Sequence, residues 1–280
     1  MNNNPEKENK IEVPVGTIIG QIKSLYNYDR YTTDPLIKYV IDKYKKAGVD
    51  PRQFLAEDFI EKGVGVVSKG EHEFLIRNFI SCVALSSEIL DSAPDSSLIM
   101  SYYPTGVDWS NEQIEVIPQE VMAKIQQKKS VLFSFHMLMD ISDEISPALS
   151  ISNRLRLKDV VAKFNLSSYG NVGIVGKLSD TNFASDIEKL FSTLNLQNEF
   201  TSGDIVGVVA GIVHDQGIID EAIASGCNKL IVGNFTGKLS ESESKKLKII
   251  SIGHENSISF GMKDILEKLS LEYSVPGSYR

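Results

Sequence analysis

Short apolar strands alternate with helical segments along most of this chain, and that alternation constrains its fold more than any other feature. The run from Ser97 to Tyr103 predicts a strand, which the turn-forming residues Pro104 and Gly106 bring to an end. A helix at 119–127 and a strand at 130–135 repeat the unit. Alternation of this kind is typical of an α/β fold, in which ligands bind beyond the carboxyl ends of the strands.

A second block with the same alternation begins near residue 171. Its strands are predicted at 172–178, 205–209, 230–232 and 247–252, and its helices at 183–194, 218–224 and 258–271. The stretch before the first helix, residues 1–33, is predicted to be an N-terminal tail and lead-in, and residues 1–10 have the polar composition of a disordered segment. That first helix is predicted to begin with Asp34 as its cap and Pro35 in its first turn.

The composition argues against two classes of function. The formal net charge of −8 opposes the attraction to phosphate on which nucleic-acid binding depends, so nucleic acid is not an expected partner. The chain has neither a run of about 18 apolar residues nor the apolar core of a signal peptide, which predicts a cytoplasmic protein without a membrane partner. Cys82 and Cys227 lie in or beside apolar stretches rather than at metal-binding spacings, as expected in a reducing compartment.

Two of the four histidines follow predicted strand ends, where they could take part in chemistry. His136 opens the segment that ends at Asp140, and His254 follows Gly253 near the end of the chain. Imidazole and carboxylate ligands suit zinc, iron or manganese. The same residues also suit buried polar groups that satisfy one another, and the pattern alone leaves both interpretations open. The sequence has no phosphate-binding loop, nucleophile elbow, HExxH motif or CxxC pair.

The order of these segments resembles the GTP cyclohydrolase type 2-like family, also called the Nif-three-like (Ngg-one-interacting factor three) family, over roughly residues 60 to 270. The segment 98–104 is similar to the family's "LIISHHP", 134–140 to "SAHTNLD", and 249–254 to the start of "LIDAGHYESE". The resemblance implies two intertwined α/β lobes, here 34–170 completed by 247–280 and 171–246, with a cleft between them. It also implies a dinuclear metal centre in that cleft and a homo-oligomer, commonly a toroidal hexamer.

The metal ligands implied by the resemblance are only partly retained in this chain. Asp140 and His254 occupy two of the family's ligand positions. Tyr102 and Tyr103 replace a pair of histidines, and Ile258 replaces a bridging glutamate. Two divalent ions that lie close together repel each other unless anionic ligands bridge them, and isoleucine cannot do so. A divalent metal, whether zinc, iron or manganese, is therefore expected to be absent or bound as a single ion.

Two functions are compatible with this pattern. The first is a binding or scaffold protein with a degenerate dinuclear metal centre, whose partner is an unidentified small molecule or protein. The alternative is a metal-dependent hydrolase of the GTP cyclohydrolase type 2-like kind, which acts on a nucleotide-like substrate through a mononuclear or remodelled site. In that alternative His136 is the expected general acid or base.

Overall fold

A computed structural model describes residues 11–70, 73–108, 113–166 and 170–280, and in it the chain forms two compact units. The first unit contains the described residues up to Ser24, together with Pro35–Ser134 and Leu266–Arg280. The second contains Leu25–Asp34 and Phe135–Ile265. The boundaries of these two units differ from those of the lobes predicted from the sequence, which were residues 34–170 with 247–280 and residues 171–246. The tail predicted at residues 1–10 lies outside the described residues.

The first unit is built around a five-stranded sheet. The strands of the unit, inside and outside this sheet, are β1 (Val13–Pro14), β2 (Gly65–Val66), β3 (Leu75–Ile76), β4 (Asn78–Ala84), β5 (Ser97–Tyr103), β6 (Val107–Asp108), β7 (Gln113–Ile114), β8 (Val131–Ser134) and β14 (Gly277–Tyr279). The sheet has the order β14, β4, β5, β8, β2, and all neighbours are parallel except β2 and β8. Two short antiparallel pairs, β1 with β3 and β6 with β7, lie outside this sheet.

The helices of the first unit follow from local sequence signals. They are α1 (Val15–Leu25), α2 (Leu36–Lys46), α3 (Glu57–Lys62), α4 (Ser87–Ser92) and α5 (Gln119–Gln127). The hydroxyl of Ser86 accepts a hydrogen bond from the backbone N–H of Ile89 and so caps α4. Helix α5 buries Met122 and Ile125, and its predicted bounds are confirmed, as are those of the fully buried strand β5.

The second unit also contains a five-stranded sheet. Its strands are β9 (Leu157–Leu166), β10 (Gly170–Leu178), β11 (Ile205–Val213), β12 (Lys229–Phe235) and β13 (Lys248–Ser251). The order is β13, β12, β11, β10, β9, in which β11 to β13 are parallel while β9 and β10 pair antiparallel. Because β9 and β13 both pair within this sheet, residues outside the predicted lobe 171–246 belong to the second unit.

The second unit also contains helices, several of which pack on its sheet. They are α6 (Met137–Asp140), α7 (Pro147–Arg154), α8 (Ser185–Thr193), α9 (Gln216–Ala224), α10 (Glu241–Ser244) and α11 (His254–Tyr273), whose last residues belong to the first unit. Arg154 on α7 binds both carboxylate oxygens of Asp264 on α11, at 2.7 and 3.0 Å, and also binds Asp186 on α8. This half-buried cation therefore ties three helices together.

None of the helices within the described parts of the chain is both long enough and apolar enough to span a bilayer.

Candidate functional site

His136 lies just past the carboxyl end of strand β8, where it begins the short helix α6. Its backbone has φ 37° and ψ −132°, a conformation that residues other than glycine rarely adopt. Holding a residue in such a conformation costs about 1–3 kcal/mol, so the surrounding contacts must fix it in place. Asp140, predicted as a retained metal ligand, is half-buried at the other end of the same helix. The two residues therefore share one helical turn in the second unit.

The side chain of His136 is held by Asp34, which is completely buried. Oxygen Oδ2 of Asp34 lies 2.6 Å from Nδ1 of His136 and accepts hydrogen bonds from the backbone N–H of Met137 at 3.3 Å and from the hydroxyl of Tyr31 at 3.2 Å. Helix α2 begins at Leu36, and the residue at its N-cap is Pro35. Asp34 was predicted as the cap but lies one residue before that position.

His254, the other retained histidine, is the first residue of α11 and is 7% exposed. Burial, and next the charge of the neighbouring His136, lower its pKa from 6.5 to about 4. The imidazole of His254 is therefore neutral at pH 7. Ile258 lies one helical turn further on, completely buried, at the position that the resemblance assigns to a bridging carboxylate.

Glycines allow the ends of β11 and β12 to approach the first turn of α11. Strand β11 was predicted over 205–209, but it continues to Val213 through an irregularity in its pairing, with Gly211 at φ +81°. The backbone N–H of Gly211 donates to the hydroxyl of Ser257, which in turn donates to the carbonyl of His254. A side chain on Gly233 would lie 2.3 Å from the carbonyl oxygen of Gly211, so only glycine fits there.

Tyr102 and Tyr103, predicted at two substituted metal positions, end strand β5 in the first unit. Both side chains are buried, and their rings pack edge to face with centroids 4.8 Å apart. The hydroxyl of Ser134 donates to the carbonyl of Tyr102 at 3.2 Å, which ties the ends of β5 and β8 together. The tyrosines thus act in part as packing groups of the first unit.

Within the second unit, the structure unites Asp34 with His136 and brings the charge of His136 close enough to His254 to alter its pKa. Sequence reasoning had identified both histidines but missed Asp34. Among the residues that the structure describes, no three histidine, cysteine, aspartate or glutamate side chains converge as a metal site would require. The side chains of the second unit therefore do not fit the dinuclear centre that the resemblance implied.

The chain belongs to the Duf34/NIF3 (NGG1p interacting factor 3) family, whose model matches residues 50–276. Its structure is similar to reduced HcgD from Methanocaldococcus jannaschii, with a TM-score of 0.60 and 14% identity over 96% of this chain and 98% of that one. It is also similar to TTHA1606 from Thermus thermophilus, with a TM-score of 0.57 and 13% identity over 95% and 97% of the two chains.

A further similar structure is the hypothetical protein SA1388 from Staphylococcus aureus, with a TM-score of 0.51 and 15% identity over 78% of this chain and 88% of that one. No curated protein matches the sequence. At such low identities the likeness concerns the fold, and the predicted α/β fold of this family is confirmed.

Proposed function

We propose that this protein is a binding or scaffold member of the family whose dinuclear metal centre has degenerated. The observation that carries the proposal is the burial of Ile258 one turn after His254, where a bridging carboxylate would be needed. An apolar side chain offers no charge to offset the repulsion between two divalent ions. The edge-to-face packing of Tyr102 and Tyr103 supports the same interpretation, because phenol rings replace the imidazoles of two further ligands.

A single ion is the most that the retained residues favour. Asp140 and His254 are the side chains that would hold it, and a neutral imidazole such as that of His254 is the form that binds metal. One carboxylate and one imidazole are fewer protein ligands than the three of a typical catalytic zinc site. We therefore propose that zinc, iron or manganese is absent or bound weakly as one ion, and that ligand binding does not depend on it.

Metal analysis of protein purified without a histidine tag tests this proposal. We expect well under one equivalent of zinc, iron or manganese per chain, with no change in Asp140→Ala. Glu255→Ala is the matched control, because it removes an exposed carboxylate beside His254 that the proposal gives no role. Two equivalents of metal that are lost in Asp140→Ala and kept in Glu255→Ala would show that the centre is intact, and the proposal would then be wrong.

The pair formed by Asp34 and His136 favours a second candidate function. An imidazole held by a buried carboxylate is suited to general acid or base catalysis, the role predicted for His136. The corresponding activity is hydrolysis of a nucleotide-like substrate through a remodelled site. Assays of a panel of nucleotides should then show turnover that is lost in His136→Gln and kept in His214→Gln, which removes an exposed imidazole. Absence of turnover, or its persistence in His136→Gln, would leave the binding protein as the better proposal.

We also propose a cytoplasmic location and self-assembly into a homo-oligomer as large as a hexamer. Cys82 and Cys227 are buried free thiols, and burial raises the pKa of each to about 12, so neither is a reactive thiolate at neutral pH. Buried, unpaired cysteines are typical of proteins in a reducing compartment. Native mass spectrometry of the purified chain would establish the number of subunits.

A further inference from the structure

The segment Leu25–Asp34 belongs to the second unit although residues of the first unit precede and follow it in the sequence. Its aromatic residues anchor it there. The ring of Tyr26 packs edge to face on Phe135 with centroids 5.1 Å apart, and Tyr26, Tyr28 and Tyr31 are all buried. Because Phe135 directly precedes His136, this packing brings the end of the segment, Asp34, to the imidazole. The position of the carboxylate is thus set by the surrounding core.

The hydrogen bonds of Asp34 identify which ring nitrogen of His136 carries a proton. The backbone N–H of Met137 can only donate, so the oxygen Oδ2 that it contacts must accept, and this oxygen also accepts from the hydroxyl of Tyr31. The same oxygen lies 2.6 Å from Nδ1 of His136, a distance typical of a charge-assisted hydrogen bond. Nδ1 therefore carries a proton that it donates to Asp34, and in the neutral ring the lone pair is on Nε2.

The backbone of His136 is also held in one conformation. Its φ of 37° is strained for a residue with a side chain, and such strain persists only where the surrounding structure fixes the backbone. The geometry thus combines a fixed backbone, a fixed ring and a buried carboxylate at Nδ1.

We propose that Asp34 is a positioning residue for His136. It fixes the ring in the tautomer protonated at Nδ1, which makes Nε2 the basic nitrogen of the neutral ring. The use of this pair in turnover rests on the second candidate function proposed above. The tautomer itself rests on the hydrogen bonds of Asp34 alone, and it can be tested in the free protein.

Nitrogen NMR of the protein labelled at histidine tests the assignment directly. The chain has only four histidines, so single substitutions identify each signal. We expect the signals that vanish in His136→Gln to show protonated Nδ1 and unprotonated Nε2, with a strongly downfield, slowly exchanging N–H proton. Asp34→Asn keeps an acceptor but removes the charge, so this proton should move upfield and exchange faster. Tyr31→Phe keeps the carboxylate and is the matched control, in which the Nδ1 proton should persist.

A different result in the unaltered protein would overturn the proposal. If His136 carries its proton on Nε2, or averages between the two tautomers, Asp34 does not position it, and this readout needs no variant of Asp34 to fold. The assay with nucleotides separates the two ideas. Turnover that depends on His136 but survives Asp34→Asn with unchanged kcat would reject the positioning role and keep the function. If His136 shows the expected tautomer but no nucleotide is turned over, the second candidate function is wrong, and the positioning of His136 by Asp34 still stands.

Discussion

Replacing Gly233 with alanine is expected to lower the free energy of unfolding by about 3 kcal/mol, the upper end of what overpacking a core usually costs. The new Cβ would lie 2.3 Å from the carbonyl oxygen of Gly211 and 2.6 Å from the hydroxyl of Ser257. The first of these atoms belongs to the backbone of the neighbouring strand β11, so the two strands must move apart. Urea unfolding of the variant beside the parent protein measures the loss.

Gly20→Ala is the control for this substitution. Gly20 is exposed on helix α1, and a Cβ placed there meets no atom within 4 Å. Alanine at this position should stabilise the protein by about 0.5–1 kcal/mol, because glycine loses more backbone freedom than alanine when it enters a helix. If Gly233→Ala unfolds at the same urea concentration as the parent, β11 and β12 cannot approach as closely as the structure shows.

The free energy of unfolding is also expected to fall by up to about 3 kcal/mol as the pH is lowered from 6.5 to about 4, on account of His254. Burial, followed by the charge of His136, lowers the pKa of His254 in the folded state. In this pH window the unfolded chain binds a proton at this residue and the folded chain does not. The stabilisation is therefore complete above pH 6.5 and disappears as the pH falls through the window.

Carboxylates also titrate at low pH, so the effect of His254 has to be isolated by difference. Unfolding free energies of the parent and of His254→Gln should be measured from pH 4 to pH 8, and their difference should change with pH mainly between 4 and 6.5. His214→Gln, which replaces an exposed histidine, controls for the loss of one imidazole. A difference between parent and His254→Gln that stays constant over this range would contradict the prediction.

The parts of the site that could be predicted are those that local sequence determines. Apolar runs with turn residues place His136 and His254 after strands, and both predictions are confirmed. Asp34 could not be found in this way, because an Asp-Pro pair before a helical pattern also satisfies the rule for a helix start. Two of its partners, His136 and Met137, lie about a hundred residues away, and no spacing rule reports them.

In the fold, too, some elements have a signal in their own sequence, whereas others form only through pairing with another strand. Helix α1 lies within the stretch predicted as tail and lead-in, although Val15, Ile18, Ile19 and Ile22 recur at helical spacing and are all buried, so this signal was available. Strand β9 had no such signal, since its early residues Lys158 and Asp159 are charged and exposed. It forms a strand because β10 offers it a hydrogen-bonding edge, and charged residues suit the outermost strand of a sheet.

The pairing of β14 with β4 bears on how the protein folds as it is being made. Strand β4 lies early in the chain, whereas its parallel neighbour Gly277–Tyr279 leaves the ribosome only after the whole second unit has been synthesised. Until then one edge of β4 presents unpaired backbone groups, which can pair with strands of other nascent chains. The sheet of the first unit therefore stays incomplete until after the second unit has been synthesised.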